Sequence, residues 1–266
     1  MEETKMTSKL LTRIENKVQI ITLNRPEKKN AFDKEMIDAW VASLEEAKHN
    51  DNVNVVVVTG AGDAFCSGGD VSNMRGGKPT PLDAKNVLWE SIHRIPLLLK
   101  TIDKPVIAAI NGVAVGAGLD MALMADFRTI ADTAKVNEGY VKVGLIPGDG
   151  GSYFLPRIVG QSKAYELLWT GDFIDAQEAL RIGLVNHVYE REVFMEKTLE
   201  LAERIAAGPQ VAIRMVKRSV QNSLNMDLEP ALDMISSHMA IIKETEDHKE
   251  GVAAFLEKRK PKFKGK

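Results

Sequence analysis

Apolar residues in the first two thirds of the chain form short continuous runs separated by stretches with helical spacing. A run such as Val-Val-Val-Val-Thr is typical of a strand that is buried on both faces. Strands and helices that alternate in this way predict a parallel sheet covered by helices. The predicted strands cover residues 18–24, 55–59 and 105–110.

Helical spacing follows the first strand and returns after the second. Asp33 can cap the first helix, because a short polar side chain at that position accepts from the first free N–H groups. A second helical stretch, broken at Pro96, is predicted over residues 82–100. The apolar residues that repeat every four positions in the first helix are Met36, Trp40 and Leu44.

The last third of the chain shows helical spacing only, and glycines separate its segments. We expect an α/β core over residues 1–200 and a C-terminal helical region over residues 201–266, which packs on the core or on a neighbouring subunit. The predicted helices cover residues 162–169, 175–182, 193–207, 210–224 and 228–255, the last with a break near Thr245.

Composition narrows the class of protein. The chain has 266 residues, of which 44% are hydrophobic and 27% charged, as in ordinary globular proteins. A net charge of -2 argues against a nucleic-acid partner, and no apolar run reaches the ~18 residues that span a membrane. Residues 1–10 do not resemble a secretory signal, and the basic residues 258–266 are expected to be a solvated end. We therefore expect a cytoplasmic location.

Cysteine and histidine give no sign of a metal site. Cys66 is the only cysteine, so no disulfide can form within the chain, which fits a reducing compartment. The five histidines lack the spacing of metal ligands, and we expect no metal.

One glycine-containing turn resembles a dinucleotide-binding motif in part. Residues 59–64 follow a predicted strand and contain two glycines, but the place of the third glycine is taken by Phe65. No helix is expected to begin there, and no acid follows at the distance that would hold a ribose. The turn therefore does not predict NAD, and we expect no cofactor.

Two other glycine-rich turns are more informative. Residues 64–70 and 111–120 each follow a buried strand and contain small residues, which allow a ligand carbonyl to approach backbone N–H groups. The second turn leads into an apolar helix, whose first N–H groups have no internal acceptor. Two such donors on one carbonyl oxygen would form an oxyanion hole. Taken singly, either turn could serve only for packing.

These segments resemble the crotonase (enoyl-CoA hydratase/isomerase) superfamily over nearly the whole chain. The resemblance implies a spiral of ββα turns with a C-terminal helical region, and trimers or dimers of trimers. The motifs that carry it are Asn24-Arg25-Pro26 with Asn30-Ala31, both glycine turns, Gly144-Leu145-Ile146-Pro147-Gly148, Thr170-Gly171, Ala176, Gly183-Leu184-Val185 and the segment 255–261.

The resemblance also assigns roles to residues. Gly69 and Ala117 match the positions whose N–H groups hold the thioester carbonyl, and an alanine suits that role because the backbone supplies the donor. Coenzyme A enters only as part of an acyl-CoA substrate. The residues expected along its groove are Lys29, Ala31, Cys66, Gly68, Asp70 and Val71, with Cys66 also expected to be a small packing residue.

Hydration of a 2-enoyl thioester needs acid and base groups, and the family's hydratases use two glutamates. The first position is Asp120, which lies three residues beyond Ala117 on the same helix face. The second is Tyr140, which could hydrogen-bond the substrate or merely pack over the pocket. Glu138 and Asp149 could replace the missing acid, although Asp149 could instead cap a helix.

Three functions remain open from the sequence. The first is syn hydration of a 2-enoyl-CoA by Asp120 with Glu138 or Asp149. The second is another reaction of the same fold, either double-bond isomerisation or hydrolytic C–C cleavage. A β-diketone hydrolase branch uses an aspartate in a similar turn together with histidines, but no histidine here has an obvious matching place. The third is a non-catalytic crotonase-like protein that binds CoA or associates with RNA.

Overall fold

Two β-sheets organise the computed structural model, which describes residues 5–70 and 80–266. One has seven strands and the other has four within the described residues. In chain order the strands are β1 (Lys5–Thr7), β2 (Leu10–Glu15), β3 (Val18–Leu23), β4 (Val55–Gly60), β5 (Ala64–Cys66), β6 (Val106–Ile110), β7 (Val113–Val115), β8 (Phe127–Ala131), β9 (Lys135–Asn137), β10 (Ile174–Asp175) and β11 (His187–Tyr189).

The larger sheet has the order β1-β2-β3-β4-β6-β8-β11. Its first three strands pair antiparallel, and the remaining pairs are parallel. All six residues of β4 are buried, as expected for a strand covered on both faces. The three strands predicted from the sequence are therefore confirmed as β3, β4 and β6.

The smaller sheet, with the order β10-β9-β7-β5, positions the candidate site. Because β5, β7 and β9 run parallel, their carboxyl ends lie at one edge of the sheet. The sequence analysis did not predict these strands, since each has only three residues. Both glycine-rich turns and Glu138 follow at this edge.

Helices cover the sheets and fill the C-terminal third. They are α1 (Lys34–His49), α2 (Pro81–Glu90), α3 (Arg94–Leu99), α4 (Ala117–Leu123), α5 (Gly151–Val159), α6 (Gln161–Thr170), α7 (Ala176–Arg181), α8 (Phe194–Ala206), α9 (Gln210–Ser223), α10 (Leu228–Glu244) and α11 (Glu246–Leu256). Short 3-10 helices occur at Pro26–Lys28 and Gly139–Val143.

Helix α1 forms as the sequence predicts. The Asp33 side chain accepts from the Met36 N–H at 3.0 Å, and Met36, Trp40 and Leu44 are buried in the core. Such a cap contributes about 1 kcal/mol, and the apolar face fixes which side of the helix meets the sheet.

Pro96 does not break the helical stretch where the sequence predicted a break. The interruption lies at residues 91–93, and Pro96 is within the first turn of α3. A proline is tolerated there because the first N–H groups of a helix have no intrahelical acceptor. The position of this interruption matters because it contains His93.

The C-terminal helices agree with the prediction, including the break at Thr245. Its side chain accepts from the His248 N–H and begins α11. The expected division at residues 200 and 201 lies inside α8, and the two-region organisation stays a prediction. Across residues 5–70 and 80–266, the helices are too short or too polar to span a membrane.

Candidate active site

The first glycine turn leaves the carboxyl end of β5 and is fixed by Phe32. The Phe32 N–H donates to the Gly68 carbonyl at 2.9 Å, and the Asp70 N–H donates to the Phe32 carbonyl at 2.9 Å. Gly68 has a φ of 100°, which favours glycine. Within the described parts of the chain, no hydrogen bond uses the Gly69 N–H between them. That donor is available to a ligand.

The second turn leaves β7 at Gly116 and opens α4. The Gly116 N–H donates to the Asn137 carbonyl at 2.8 Å. Ala117 is the first residue of α4, so its N–H has no acceptor in the helix, and no other described residue accepts from it. A second backbone donor is therefore available close to the first turn.

The two turns are packed against each other. A Cβ placed on Gly118 would lie 2.0 Å from the Cys66 carbonyl oxygen, so only glycine allows this approach. A Cβ placed on Gly68 would lie 3.8 Å from the Ala117 nitrogen. The prediction that the two turns meet at one site agrees with this packing, and the oxyanion role of Gly69 and Ala117 stays a prediction.

Three carboxyl groups and one phenol lie beside the second turn, and we call Asp120, Glu138, Tyr140 and Asp149 the acid cluster. The Tyr140 hydroxyl lies 2.7 Å from Asp120 Oδ2 and 3.1 Å from Asp149 Oδ2. A Cβ placed on Gly116 would lie 3.5 Å from the Tyr140 ring, so the ring is next to the second turn. All four candidate residues are thus brought together.

Burial distinguishes the members of the acid cluster. Asp120 is 0% exposed, Glu138 is 1% exposed, Asp149 is 7% exposed, and Tyr140 is half-buried. In the described residues none of the three carboxyls forms an ion pair with a lysine or arginine. Such an arrangement is costly unless protons neutralise part of it.

The pKa values shift in the direction that this burial requires. Loss of solvent raises the pKa of Asp120 to about 6, although the hydrogen bond from Tyr140 opposes the shift. Burial, followed by the charge of Asp120, raises the pKa of Glu138 well above its ordinary value. Burial also raises the pKa of Asp149. Asp120 can therefore exchange its proton close to neutral pH, and Glu138 holds a proton more tightly than an exposed glutamate does.

Glu138 contacts Asp120 rather than a cavity. The two carboxyls lie within hydrogen-bonding reach of each other. Among the described groups, no N–H or O–H donor satisfies Asp120 Oδ1 or either Glu138 oxygen. A proton on Glu138 that is donated to Asp120 would give one Asp120 oxygen a donor and would pair one of the two Glu138 oxygens. Glu138 thus supports Asp120, and its direct catalytic role stays a prediction.

Asp149 lies in the turn before α5 but does not cap that helix. The N-cap residue is Gly150, which makes no side-chain capping bond, and Asp149 faces Tyr140 instead. The capping interpretation of Asp149 is therefore wrong. Gly151 has to be small because a Cβ there would lie 2.3 Å from Asp120 Oδ1.

His93 is a neighbour of the site that the sequence analysis missed. Its Nε2–H donates to the Gly148 carbonyl at 2.8 Å, and its ring makes an edge-on contact with Trp89 at 5.9 Å between centroids. A charge on His93 also acts on Asp149. The expectation that no histidine has a place matching the hydrolase branch stays a prediction. His93 is 55 residues from Gly148 in the chain, and spacing gave no signal that the two would meet.

The residues predicted along the CoA groove have mixed environments. Cys66 is buried, which raises its pKa to about 12 and keeps the thiol neutral. Lys29 is exposed and lies 3.7 Å from Asp63. Ala31 accepts from Arg25 through its carbonyl at 2.6 Å. Gly68 belongs to the first turn described above, and Val71 lies outside the described residues.

Asp70 is enclosed by cations. Its Oδ2 lies 2.8 Å from both Arg25 Nη2 and Lys28 Nζ. Arg25 Nη1 lies 3.5 Å from Asp33. This group of Arg25, Lys28, Asp33 and Asp70 is called the paired cluster below. Its bonds hold the first glycine turn against residues 25–33.

Comparison with known proteins defines the family. The sequence profile described as Enoyl-CoA hydratase/isomerase matches residues 13–266. The chain belongs to this enzyme family, and the predicted crotonase fold is confirmed by solved structures. An enoyl-CoA hydratase from Bacillus anthracis superposes with a TM-score of 0.91 at 34% identity, covering 97% of this chain and 100% of that one.

Individual relatives carry out different reactions. The chain is 35% identical to a crotonyl-CoA hydratase of Syntrophomonas wolfei over 94% of its length and 95% of the relative's. It is 33% identical to a 1,2-epoxyphenylacetyl-CoA isomerase of Escherichia coli, covering 97% of this chain and 98% of the relative. The prediction of an enoyl-CoA hydratase or isomerase is supported by both.

Proposed function

We propose that this protein hydrates a 2-enoyl-CoA thioester. The observation that carries the proposal is the position of two free backbone N–H groups, on Gly69 and Ala117, in packed turns beside the acid cluster. An oxygen that accepts from both donors is stabilised most when it bears negative charge, as the thioester oxygen does while water adds to the β-carbon.

The acid cluster supplies the proton chemistry. Addition of water requires one group that accepts a proton from water and one that delivers a proton to the α-carbon. A carboxylate at Asp120 and a protonated Asp149 would meet both needs, and their raised pKa values keep proton transfer possible near neutral pH. Coenzyme A enters as part of the substrate, with Lys29 and residues 66–70 along its path.

Assembly and location are part of the proposal as well. We propose a homotrimer or a dimer of trimers in the cytoplasm, with no nucleic-acid partner. Exposed apolar side chains on α9, at the C-terminal end of α9 and on α10 are consistent with subunit contacts; among them are Val220, Leu224, Leu228 and Leu232.

Replacing the first residue of α4 by proline tests the oxyanion hole, because proline has no backbone N–H to donate. Ala117→Pro removes one donor, and proline is tolerated at this first position of α4 because the N–H there has no acceptor in the helix. We expect kcat/KM for crotonyl-CoA hydration to fall about 10²- to 10³-fold with the fold intact.

The matched control is Glu246→Pro, at the exposed first position of α11, where Thr245 has a φ of -68° and a ψ of 151°. This variant should hydrate crotonyl-CoA at the wild-type rate. A folded Ala117→Pro protein with wild-type kcat/KM would remove the oxyanion assignment. A wild-type protein that binds CoA thioesters but converts none would favour the non-catalytic alternative.

Two other reactions are separated by product analysis. Tyr140 at the second acid position favours isomerisation as a second candidate, because shifting a double bond needs only one base. Hydrolytic C–C cleavage has His93 beside Gly148 in its favour. Incubation with 2-enoyl, 3-enoyl and β-ketoacyl thioesters, followed by identification of the products, assigns the reaction.

A further inference from the structure

Asp120 is enclosed, although it occupies the position of a catalytic acid. It is 0% exposed, and Tyr140 covers its Oδ2. The backbone of Gly151 lies against its Oδ1, where a Cβ would be only 2.3 Å away. The half-buried Tyr140 and the slightly exposed Asp149 lie nearer to solvent. In this arrangement Asp120 exchanges protons with a substrate only through a neighbour.

Tyr140 is the neighbour that reaches both aspartates. Its hydroxyl has one hydrogen and lies 2.7 Å from Asp120 Oδ2 and 3.1 Å from Asp149 Oδ2. A hydroxyl donates once and accepts through its lone pairs. Two carboxylates around it would repel each other in a buried site without a lysine or arginine partner. One aspartate is therefore charged and accepts from Tyr140, and the other is protonated and donates to it.

The two distances indicate which aspartate is charged. Hydrogen bonds from a hydroxyl to an ionised oxygen are short, about 2.5 to 2.7 Å. The contact to Asp120 meets this range and the contact to Asp149 is longer. Neither Glu138 oxygen accepts from a described donor and burial raises the pKa of Glu138, which favours a protonated Glu138 beside Asp120, and His93 Nε2–H is occupied by the Gly148 carbonyl. The resting state is thus a charged Asp120 and a protonated Asp149.

We propose that Tyr140 is a proton bridge between Asp120 and Asp149, through which the enclosed Asp120 takes part in the reaction. This inference rests on the proposed function. When water attacks the β-carbon, its O–H bond breaks and the proton passes to the Tyr140 oxygen, while the Tyr140 proton passes to Asp120. The Asp149 O–H bond breaks and its proton forms the new bond to the α-carbon.

The same bridge restores the resting state. After turnover Asp120 is protonated and Asp149 is charged. Asp120 then donates to Tyr140 while Tyr140 donates to Asp149, and both aspartates regain their starting states. No proton is gained or lost over the cycle, and none has to come from bulk solvent. Tyr140 thereby relays protons between the two aspartates without itself ionising.

The test compares Tyr140→Phe with wild type in single-turnover hydration of crotonyl-CoA. We expect the rate to fall about 10²-fold or more because the base loses its path to Asp120. KM should change little, since the ring and its packing on Gly116 remain. Tyr153→Phe, on the half-exposed face of α5, is the matched control and should keep the wild-type rate.

A proton inventory in mixtures of H₂O and D₂O tests whether several protons move in the same step, as the bridge requires. In wild type at least two protons move together, so the rate should depend on the deuterium fraction along a curve. A linear dependence in wild type would overturn the bridge, as would a Tyr140→Phe rate near that of wild type. If wild type hydrates no enoyl thioester, the proposed function itself fails, which is a different result from either of these.

Discussion

The paired cluster and the acid cluster both contain buried carboxyl groups, but their charges are balanced differently. Asp70 lies 2.8 Å from Arg25 and from Lys28. Asp120 has Tyr140 and Glu138 as neighbours instead of a cation. A buried carboxylate beside cations is held in its charged form, whereas the pKa of one without cations rises toward neutral pH.

The pKa directions express the same difference. Burial alone would raise the pKa of Asp33 in the paired cluster, but the hydrogen bond from Lys9 and the charge of Arg25 leave it lowered. Burial of Asp120 has no such compensation, and its pKa rises to about 6. The paired cluster therefore serves structure, and the acid cluster maintains groups that can give and take protons at some cost in stability.

The largest expected effect is loss of the buried cation from the paired cluster. Arg25→Met removes the bonds to Asp70 and to the Ala31 carbonyl and leaves a buried carboxylate with less compensation. We expect the free energy of unfolding to fall by about 3 to 4 kcal/mol, as measured by urea denaturation. A loss below 1 kcal/mol would show that the cluster does not hold the fold.

Removing a buried charge from the acid cluster should have the opposite effect and raise the free energy of unfolding near neutral pH. The pKa of Asp120 is raised from 3.8 to about 6 in the folded protein, so the fold binds a proton more tightly than the unfolded chain between these values. The stabilisation that protonated Asp120 contributes to the wild-type fold is therefore fully present below pH 4, and it is lost as the pH rises through about 6. The Asp120→Asn variant has no titratable group at this position, so its stability does not change with pH for this reason.

The measurable quantity is the difference in unfolding free energy between Asp120→Asn and wild type. It should increase by about 2 to 3 kcal/mol in favour of the variant from pH 4 to pH 7, because two pKa units correspond to roughly that amount. Denaturation series at several pH values would show it. A difference that is independent of pH would mean that Asp120 bears no burial cost.

Sequence reasoning predicted the paired cluster's neighbourhood better than the acid cluster. The helix cap at Asp33, the buried strands and the two glycine turns follow from local patterns, and each is present. Local patterns suffice there because capping, strand burial and tight turns depend on residues close together in the chain.

The acid cluster could be predicted only in part. Its four members were candidates individually, through resemblance to a family. That Tyr140 bridges two aspartates depends on three segments meeting, and one of them is the 3-10 helix Gly139–Val143, which gives no periodic signal. His93 was missed because it is 55 residues from Gly148 in the chain, and their contact depends on tertiary packing.

The smallest change in the free energy of unfolding is expected when Lys28 is replaced. This variant can be compared directly with Arg25→Met. Both cations lie 2.8 Å from the same Asp70 oxygen, but the Arg25 side chain is 9% exposed and that of Lys28 is 43% exposed. Exposed ion pairs contribute little, because water screens them and the long side chain loses freedom. Lys28→Met should therefore cost less than about 1 kcal/mol of unfolding free energy. If it cost as much as Arg25→Met, contact with the carboxylate rather than burial of the cation would decide stability in the paired cluster. In that case the contrast with the acid cluster would have to be explained by the number of cations alone.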